Sequence, residues 1–298
     1  MTSMSGPEIM GAHEWRAAGS MLSTEHGEVF VLDRAAAEPG DAPPLLVVHG
    51  FPSSSLDFRH VLDALARHRR VVLFDQLGFG WSDKPDRRYG IRLHADTAER
   101  VLAHLGIDAI DLLTHDMGDT VGGELLARDL DGDLGVEIRR RVLTHGSIYL
   151  DLAHLTTGQQ LLCDLPDAPI DLIDADALAA GVAATFSPEH PASADEIEQV
   201  RIAAAHQHGE RLLPRTIRYL EDRRAEERRF TGAIETHPSP LGVVWGTEDP
   251  VAVLAMTDEL LRARPGTPLT LLDGVGHYPM VESPAAFADA VLAQLGPT

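Results

Sequence analysis

An α/β architecture with a mostly parallel central sheet flanked by helices is what this 298-residue sequence predicts, and three observations predict it. Short β-like runs alternate with helix-spaced segments from about residue 27 onward, the rhythm of successive βαβ units. Several of those runs, such as Leu45-Leu46-Val47-Val48, are continuously apolar, as suits a buried strand. Between about residues 149 and 240 the β-like runs disappear and Ala-rich or charged helical stretches replace them. That region is too long and too regular for a loop, so an inserted helical cap is expected there. The expected division is a core of residues 1–148 and 241–298 and a cap of residues 149–240.

Taken in order, Gly27 to Asp33 reads as a strand and Leu45 to Gly50 as a buried one. Leu56 to Arg67 has helical spacing, with Leu56, Val61, Leu62 and Leu65 on one side. Val71 to Asp75 is the next strand and Asp96 to Leu105 the next helix. Ala109 to Thr114 leads into a sharp turn, after which Val121, Leu125 and Leu126 turn a helix inward. Arg141 to Ile148 completes another strand. In the cap, Ala175 to Thr185, Ala194 to His206 and Leu212 to Arg229 read as helices. The mixed charges of Glu221 to Arg229 read as an exposed helix face laced with ion pairs. Strands return at Leu241 to Gly246 and Leu269 to Leu272, and a terminal helix runs from about Ala285 to Gln294.

Composition narrows the partners. A hydrophobic fraction of 44% argues against disorder, and a net charge of -21 argues against nucleic acid and anionic membranes, which would repel such a surface. Cys163 is the single cysteine, which excludes an intramolecular disulfide and disfavours a Cys-based zinc site. His206 and His208 lack further ligands at metal spacing, so neither metal nor other cofactor is expected. Met1 to Ser20 carries Glu8 and Glu14 without a continuous apolar run, reading as neither signal peptide nor membrane span. The expectation is a cytoplasmic protein acting on a small-molecule substrate, with a homodimer compatible with the sequence.

Ligands of a parallel sheet bind at the carboxyl ends of the strands, and three such positions carry reactive groups. Asp116 follows Leu112-Leu113-Thr114-His115, Asp249 follows Trp245-Gly246-Thr247-Glu248, and His277 lies in Gly274-Val275-Gly276-His277-Tyr278-Pro279. Asp116 stands at a strand-to-helix elbow where a serine nucleophile is usual. With an unperturbed pKa of about 3.9, a carboxylate there is an anion at neutral pH and needs no base in order to attack. Attack on an ester would give a high-energy mixed anhydride, whereas attack on an sp3 carbon gives an alkyl ester that water can cleave. An epoxide or an alkyl halide therefore fits best. His277, oriented by Asp249 or alternatively by Asp151, would activate the water. In His49-Gly50-Phe51-Pro52, the backbone N–H of Phe51, together with that of Met117, would hold the charge formed during ester hydrolysis. Asp119 reads as a partner for first-turn N–H groups of its helix, and His49 and His115 as structural, directed away from the site by strand alternation.

Together, His49-Gly50-Phe51-Pro52, Asp75-Gln76-Leu77-Gly78-Phe79-Gly80-Trp81-Ser82-Asp83-Lys84-Pro85, His115-Asp116-Met117-Gly118, Gly246-x-x-Asp249-Pro250 and Gly276-His277 resemble the epoxide hydrolase and haloalkane dehalogenase branch of the α/β-hydrolases. Ser82-Asp83-Lys84-Pro85, His115-Asp116-x-Gly118-Asp119 and the segment from Tyr219 to Ala233 further resemble the mesoderm-specific transcript group. The resemblance implies the α/β-hydrolase fold with an inserted helical cap and a triad in the chain order Asp116, Asp249, His277. It also implies that cap tyrosines polarise an epoxide oxygen, with Tyr219 in one such place and Tyr149 as the candidate second. Packing of a buried Tyr219 between cap and core is the competing role. Dehalogenases place a Trp directly after the nucleophile and often an Asn in the preceding turn to hold the halide. Met117 and Phe51 stand at those positions here, leaving Trp81 or a cap residue as the substitute. The expected activity is epoxide hydrolysis to a diol. The alternatives are hydrolytic dehalogenation and a non-hydrolytic biosynthetic enzyme or binding protein.

Overall fold

The computed structural model describes residues 9–296; the first eight residues of the Met1 to Ser20 stretch lie outside it. In chain order the elements are α1 (Ala12–Ala18), β1 (Ser20–Thr24), β2 (Gly27–Arg34), β3 (Leu45–Val48), α2 (Leu62–Leu65), β4 (Val71–Phe74), α3 (Ile91–His104), β5 (Ala109–His115), α4 (Met117–Asp131) and β6 (Glu137–Thr144). Five helices follow before the next strand: α5 (Thr157–Asp164), α6 (Ala175–Ala183), α7 (Ala194–Ala205), α8 (Leu213–Thr216) and α9 (Tyr219–Thr236). The chain then returns to the sheet with β7 (Leu241–Gly246), α10 (Ala255–Ala263), β8 (Leu269–Leu272), α11 (Pro279–Glu282) and α12 (Pro284–Leu295).

The strands form one sheet in the order β1-β2-β4-β3-β5-β6-β7-β8. β2 runs antiparallel to both of its neighbours, β1 and β4, and the pairings from β4 through β8 are parallel. Every residue of β3, β4 and β7 is buried because helices cover both faces. This topology sets β5 between β3 and β6. Val48 pairs with Thr114, and His115 with Thr144, so the three carboxyl ends lie level and deliver residues 49–51, 116 and 145 to one place.

Several elements differ from the sequence expectation for identifiable reasons. β6 begins four residues earlier than expected, at Glu137, because its exposed charged residues hide the strand pattern, and the chain leaves the sheet at His145 with φ 59°. Leu56 to Arg67 is not one helix: a 3-10 turn spans Ser55–His60, and α2 holds only the next short stretch. α3 starts five residues before Asp96, where the Ile91 N–H donates to Asp222 Oδ2 at 3.0 Å across from α9. Leu212 to Arg229 divides into α8 and α9. The mixed-charge face of α9 carries the expected ion pairs, and several of them reach the helices beneath. Arg229 meets Glu124 at 2.6 Å and Asp131 at 2.9 Å, and Glu226 meets Arg92 at 2.5 Å. A Cβ on Gly123 would lie 2.9 Å from the Phe230 carbonyl oxygen, so that glycine lets α9 close onto α4.

Candidate active site

The elbow after β5 is built by close backbone approach. Asp116 has φ 51° and ψ −116°, a conformation that costs a non-glycine residue on the order of 1–3 kcal/mol and persists only where the surroundings enforce it. Its N–H donates to the Thr144 carbonyl at 3.1 Å, and its carbonyl accepts from the Asp119 N–H at 3.0 Å. A Cβ on Gly118 would stand 2.3 Å from the Val48 oxygen, and one on Gly50 would stand 2.5 Å from the Asp116 Cβ. These two glycines therefore allow the turn after β3 to press against the elbow. As a result the Phe51 N–H donates to Asp116 Oδ2 at 2.8 Å. Met117 N–H makes no such bond, so of the two donors expected from the sequence only Phe51 reaches the carboxylate.

The turn after β7 and the loop after β8 complete the group. His277 Nδ1 lies 2.8 Å from Asp249 Oδ2, while Asp249 Oδ1 accepts from Val251 N–H at 2.7 Å and Ala252 N–H at 2.9 Å. The carboxylate is thus fixed on both oxygens. Asp151, the alternative acid, is exposed in a 3-10 turn and takes no part. The other ring nitrogen of His277, Nε2, stands 3.8 Å from Asp116 Oδ1. Burial disfavours the His277 cation, but the charge and hydrogen bond of Asp249 and the charge of Asp116 outweigh it and hold the pKa at about 9. That balance favours the protonated ring of His277 between Asp249 and Asp116.

Glu282 was not singled out by the sequence. Its Oε2 accepts from Gly276 N–H at 2.7 Å and Ser187 N–H at 3.0 Å, and its Oε1 from Tyr278 N–H at 2.8 Å. One carboxylate therefore grips the backbone on both sides of His277 and ties it to the chain after α6. Glu282→Gln places an amide donor against N–H groups and is expected to lower stability by about 1–3 kcal/mol. Urea denaturation measures this, and an unchanged midpoint would contradict the assigned role.

A cavity of about 120 Å³ opens over His277. Phe51, His277 and Tyr278 form its core side, and Leu162, Val182 and Leu213 contribute to the opposite wall. Asp116 is buried below this surface, and Tyr219 stands off the wall with its ring 5.7 Å from that of Phe51. Burial, and then the charge of Asp116, push the Tyr219 hydroxyl pKa up, while the Arg223 guanidinium, 5.0 Å over the ring, opposes them. Tyr219 is thus both a packed residue and an electrostatic neighbour of Asp116.

The two residues expected to bind substrate lie elsewhere. Tyr149 donates its hydroxyl to Glu235 Oε1 at 3.1 Å, tying the start of the inserted segment to the end of α9, and does not line the cavity. Trp81 is buried 4.9 Å from the His206 ring and 5.0 Å from the Arg16 guanidinium, also off the cavity wall. Its loop is organised by Asp75, which accepts from Ser55 N–H at 2.8 Å and Trp81 N–H at 2.6 Å, and by Lys84, which donates to the Gly80 and Ser82 carbonyls at 2.7 and 2.9 Å. The Asp75 to Pro85 motif is therefore a structural brace in this chain.

Other expectations need adjustment. Asp119 accepts from the Thr114 hydroxyl rather than from first-turn N–H groups, and burial pushes its carboxyl pKa well up. His115 was expected to face away, but its ring lies 5.1 Å from His277 and 5.4 Å from Tyr278, and burial holds its pKa far down as a neutral neighbour. His49 is structural as expected: its Nε2 accepts from Gln76 N–H at 3.0 Å. Tyr278, on the cavity wall, was missed, and its position directly after His277 was the available signal.

A family model described as alpha/beta hydrolase family matches residues 45–290. The chain is 41% identical over 295 residues to LipZ of Mycobacterium tuberculosis, covering 98% of this chain and 99% of LipZ. It is 30% identical over 297 residues to the mesoderm-specific transcript homolog protein of Homo sapiens, covering 96% of this chain and 88% of that one. Among solved structures, an alpha/beta hydrolase fold protein from Burkholderia ambifaria matches with a TM-score of 0.74 at 24% identity, covering 92% of this chain and 97% of that chain. Among the described residues no helix is long and apolar enough to cross a membrane.

Proposed function

Because this chain belongs to the alpha/beta hydrolase family, we propose that it is a hydrolase of electrophilic sp3 carbons, an epoxide hydrolase working through an alkyl ester on Asp116. Residues 149–240 would serve as the cap over the substrate. The observation that carries this reading is the arrangement of the two Asp116 oxygens: Oδ2 accepts from Phe51 N–H at 2.8 Å, and Oδ1 stands 3.8 Å from His277 Nε2.

In the first step Oδ1 bonds to an epoxide carbon as the C–O bond breaks. The departing oxygen takes a proton from the Tyr219 hydroxyl, and the Phe51 side chain must yield for the substrate to reach both groups. Forming the ester removes the charge of Asp116, one of those holding the His277 proton, so the His277 pKa falls and the neutral imidazole becomes available as a base. Its surplus proton restores Tyr219. Water then loses a proton to His277 and attacks the Asp116 carboxyl carbon. Negative charge develops on Oδ2, where the Phe51 N–H already points. Collapse breaks the carbonyl carbon–Oδ1 alkyl-ester bond, the departing oxygen takes the proton from His277 to complete the diol, and the acid left on Asp116 returns its proton to His277, regenerating the carboxylate.

The test is a panel of epoxides and haloalkanes assayed for diol and for halide. Tyr219→Phe is expected to lower epoxide turnover about 100-fold. Turnover within twofold of wild type would assign Tyr219 to packing alone, and halide release without diol formation would replace the epoxide reading by dehalogenation.

A further inference from the structure

We infer that the cavity mouth lies between Gly158 of α5 and Gly181 of α6, and that the substrate is an amphiphile whose unbranched apolar chain leaves through it across Leu161 and Leu172. This rests on the proposed hydrolase reading only for the reacting group. Both glycines line the cavity and are also exposed, which places them where it meets solvent. Gly181 lies inside α6, where glycine costs about 1 kcal/mol relative to alanine, and Gly158 is the second residue of α5. The local structure does not require either. Neither has a positive φ; a Cβ on Gly181 would meet nothing within 4 Å, and one on Gly158 would meet only the Thr156 hydroxyl at 3.8 Å. Gly118 and Gly123, by contrast, sit against backbone that no side chain could clear. What the two helix glycines preserve is open space at the mouth.

Two exposed leucines stand in the segments that carry the mouth. Leu161 is 47% exposed and Leu172 57% exposed, two of the few large apolar side chains so displayed among the described residues. Leu161 lies one helical turn beyond Gly158 and next to the wall residue Leu162, and Leu172 precedes the wall residue Ile173. Interior volume points the same way. A cavity of about 120 Å³ is comparable to one that accommodates a single benzene-sized group. A longer chain must leave by the mouth, and the leucines offer it an apolar path.

The test uses n-alkyl primary amides from butyramide to decanamide, with binding measured by calorimetry and no turnover required. In wild type, affinity is expected to rise about fourfold per methylene and to keep rising after the interior is full. Gly181→Leu is expected to weaken decanamide at least tenfold and leave butyramide within twofold. Leu161→Ser combined with Leu172→Ser, at exposed positions that do not threaten folding, is expected to act in the same direction. The series is repeated in Asp116→Asn, so loss of the hydrolase reading would leave the length dependence standing. A plateau at short chains, or an equal loss for short and long amides in Gly181→Leu, would overturn the inference.

Discussion

Asp116→Asn is expected to reduce epoxide turnover by on the order of 10⁴-fold or more while leaving the fold intact. The amide matches the carboxylate in shape, and its oxygen can still accept from the Phe51 N–H that now meets Oδ2 at 2.8 Å. The elbow is also enforced by groups that the substitution does not touch, namely the Thr144 carbonyl and the close approach of Gly118 to Val48. What is lost is the anionic nucleophile. A second effect follows from charge: without the Asp116 anion, the His277 pKa should fall from about 9. Steady-state assay, thermal melting and NMR titration of His277 measure the three consequences. Retention of more than a tenth of wild-type turnover would remove Asp116 from the nucleophile's role.

His277→Gln carries the next largest effect. Turnover is expected to fall by about 10³-fold, and intact mass should show enzyme plus one substrate equivalent, because alkylation does not require His277 as a base and ester hydrolysis does. Glutamine is preferred to alanine because Asp116 and Asp249 are both buried at this ring. Deleting a buried cation outright leaves carboxylates uncompensated at a cost of about 3–5 kcal/mol, whereas a Gln amide can still donate to Asp249. The pH dependence has a definite sign. A folded-state pKa above the unfolded value stabilises the fold most fully below about pH 6.5. That contribution is lost as pH rises through about 9, and the variant should flatten this part of the stability profile. In turnover, hydrolysis should rise with pH through a pKa lower than that of the free enzyme, since the ester has removed the Asp116 charge.

The sequence carried the central strands and the ends where chemistry collects, because β3 and β4 are unbroken apolar runs and a strand-end carboxylate or histidine stands out against them. The edge was harder to read. β1 has no fully buried residue, so it lacks the apolar alternation that marks a strand, and α1 is a single short segment. The positive φ of Asp116 interrupts strand geometry, and tertiary packing brings the neighbouring His115 against His277, an outcome that alternation alone does not reveal. Trp81 and Tyr149 are assigned to the substrate by the family resemblance, as a substitute halide donor and a second epoxide-polarising tyrosine, but which wall a side chain joins is decided by contacts distant in sequence. Glu282 shows the same limit most clearly: one of its partners, Ser187, lies 95 positions away.

Single-turnover reaction in heavy-oxygen water, with enzyme in excess over epoxide, tests the covalent mechanism most directly. Attack by Asp116 Oδ1 predicts that the diol from the first turnover contains no solvent oxygen and that the label appears in the peptide containing Asp116. Label in the first-turnover diol, with an unlabelled Asp116 peptide, would show that water attacks the substrate directly and would contradict the alkyl-ester mechanism.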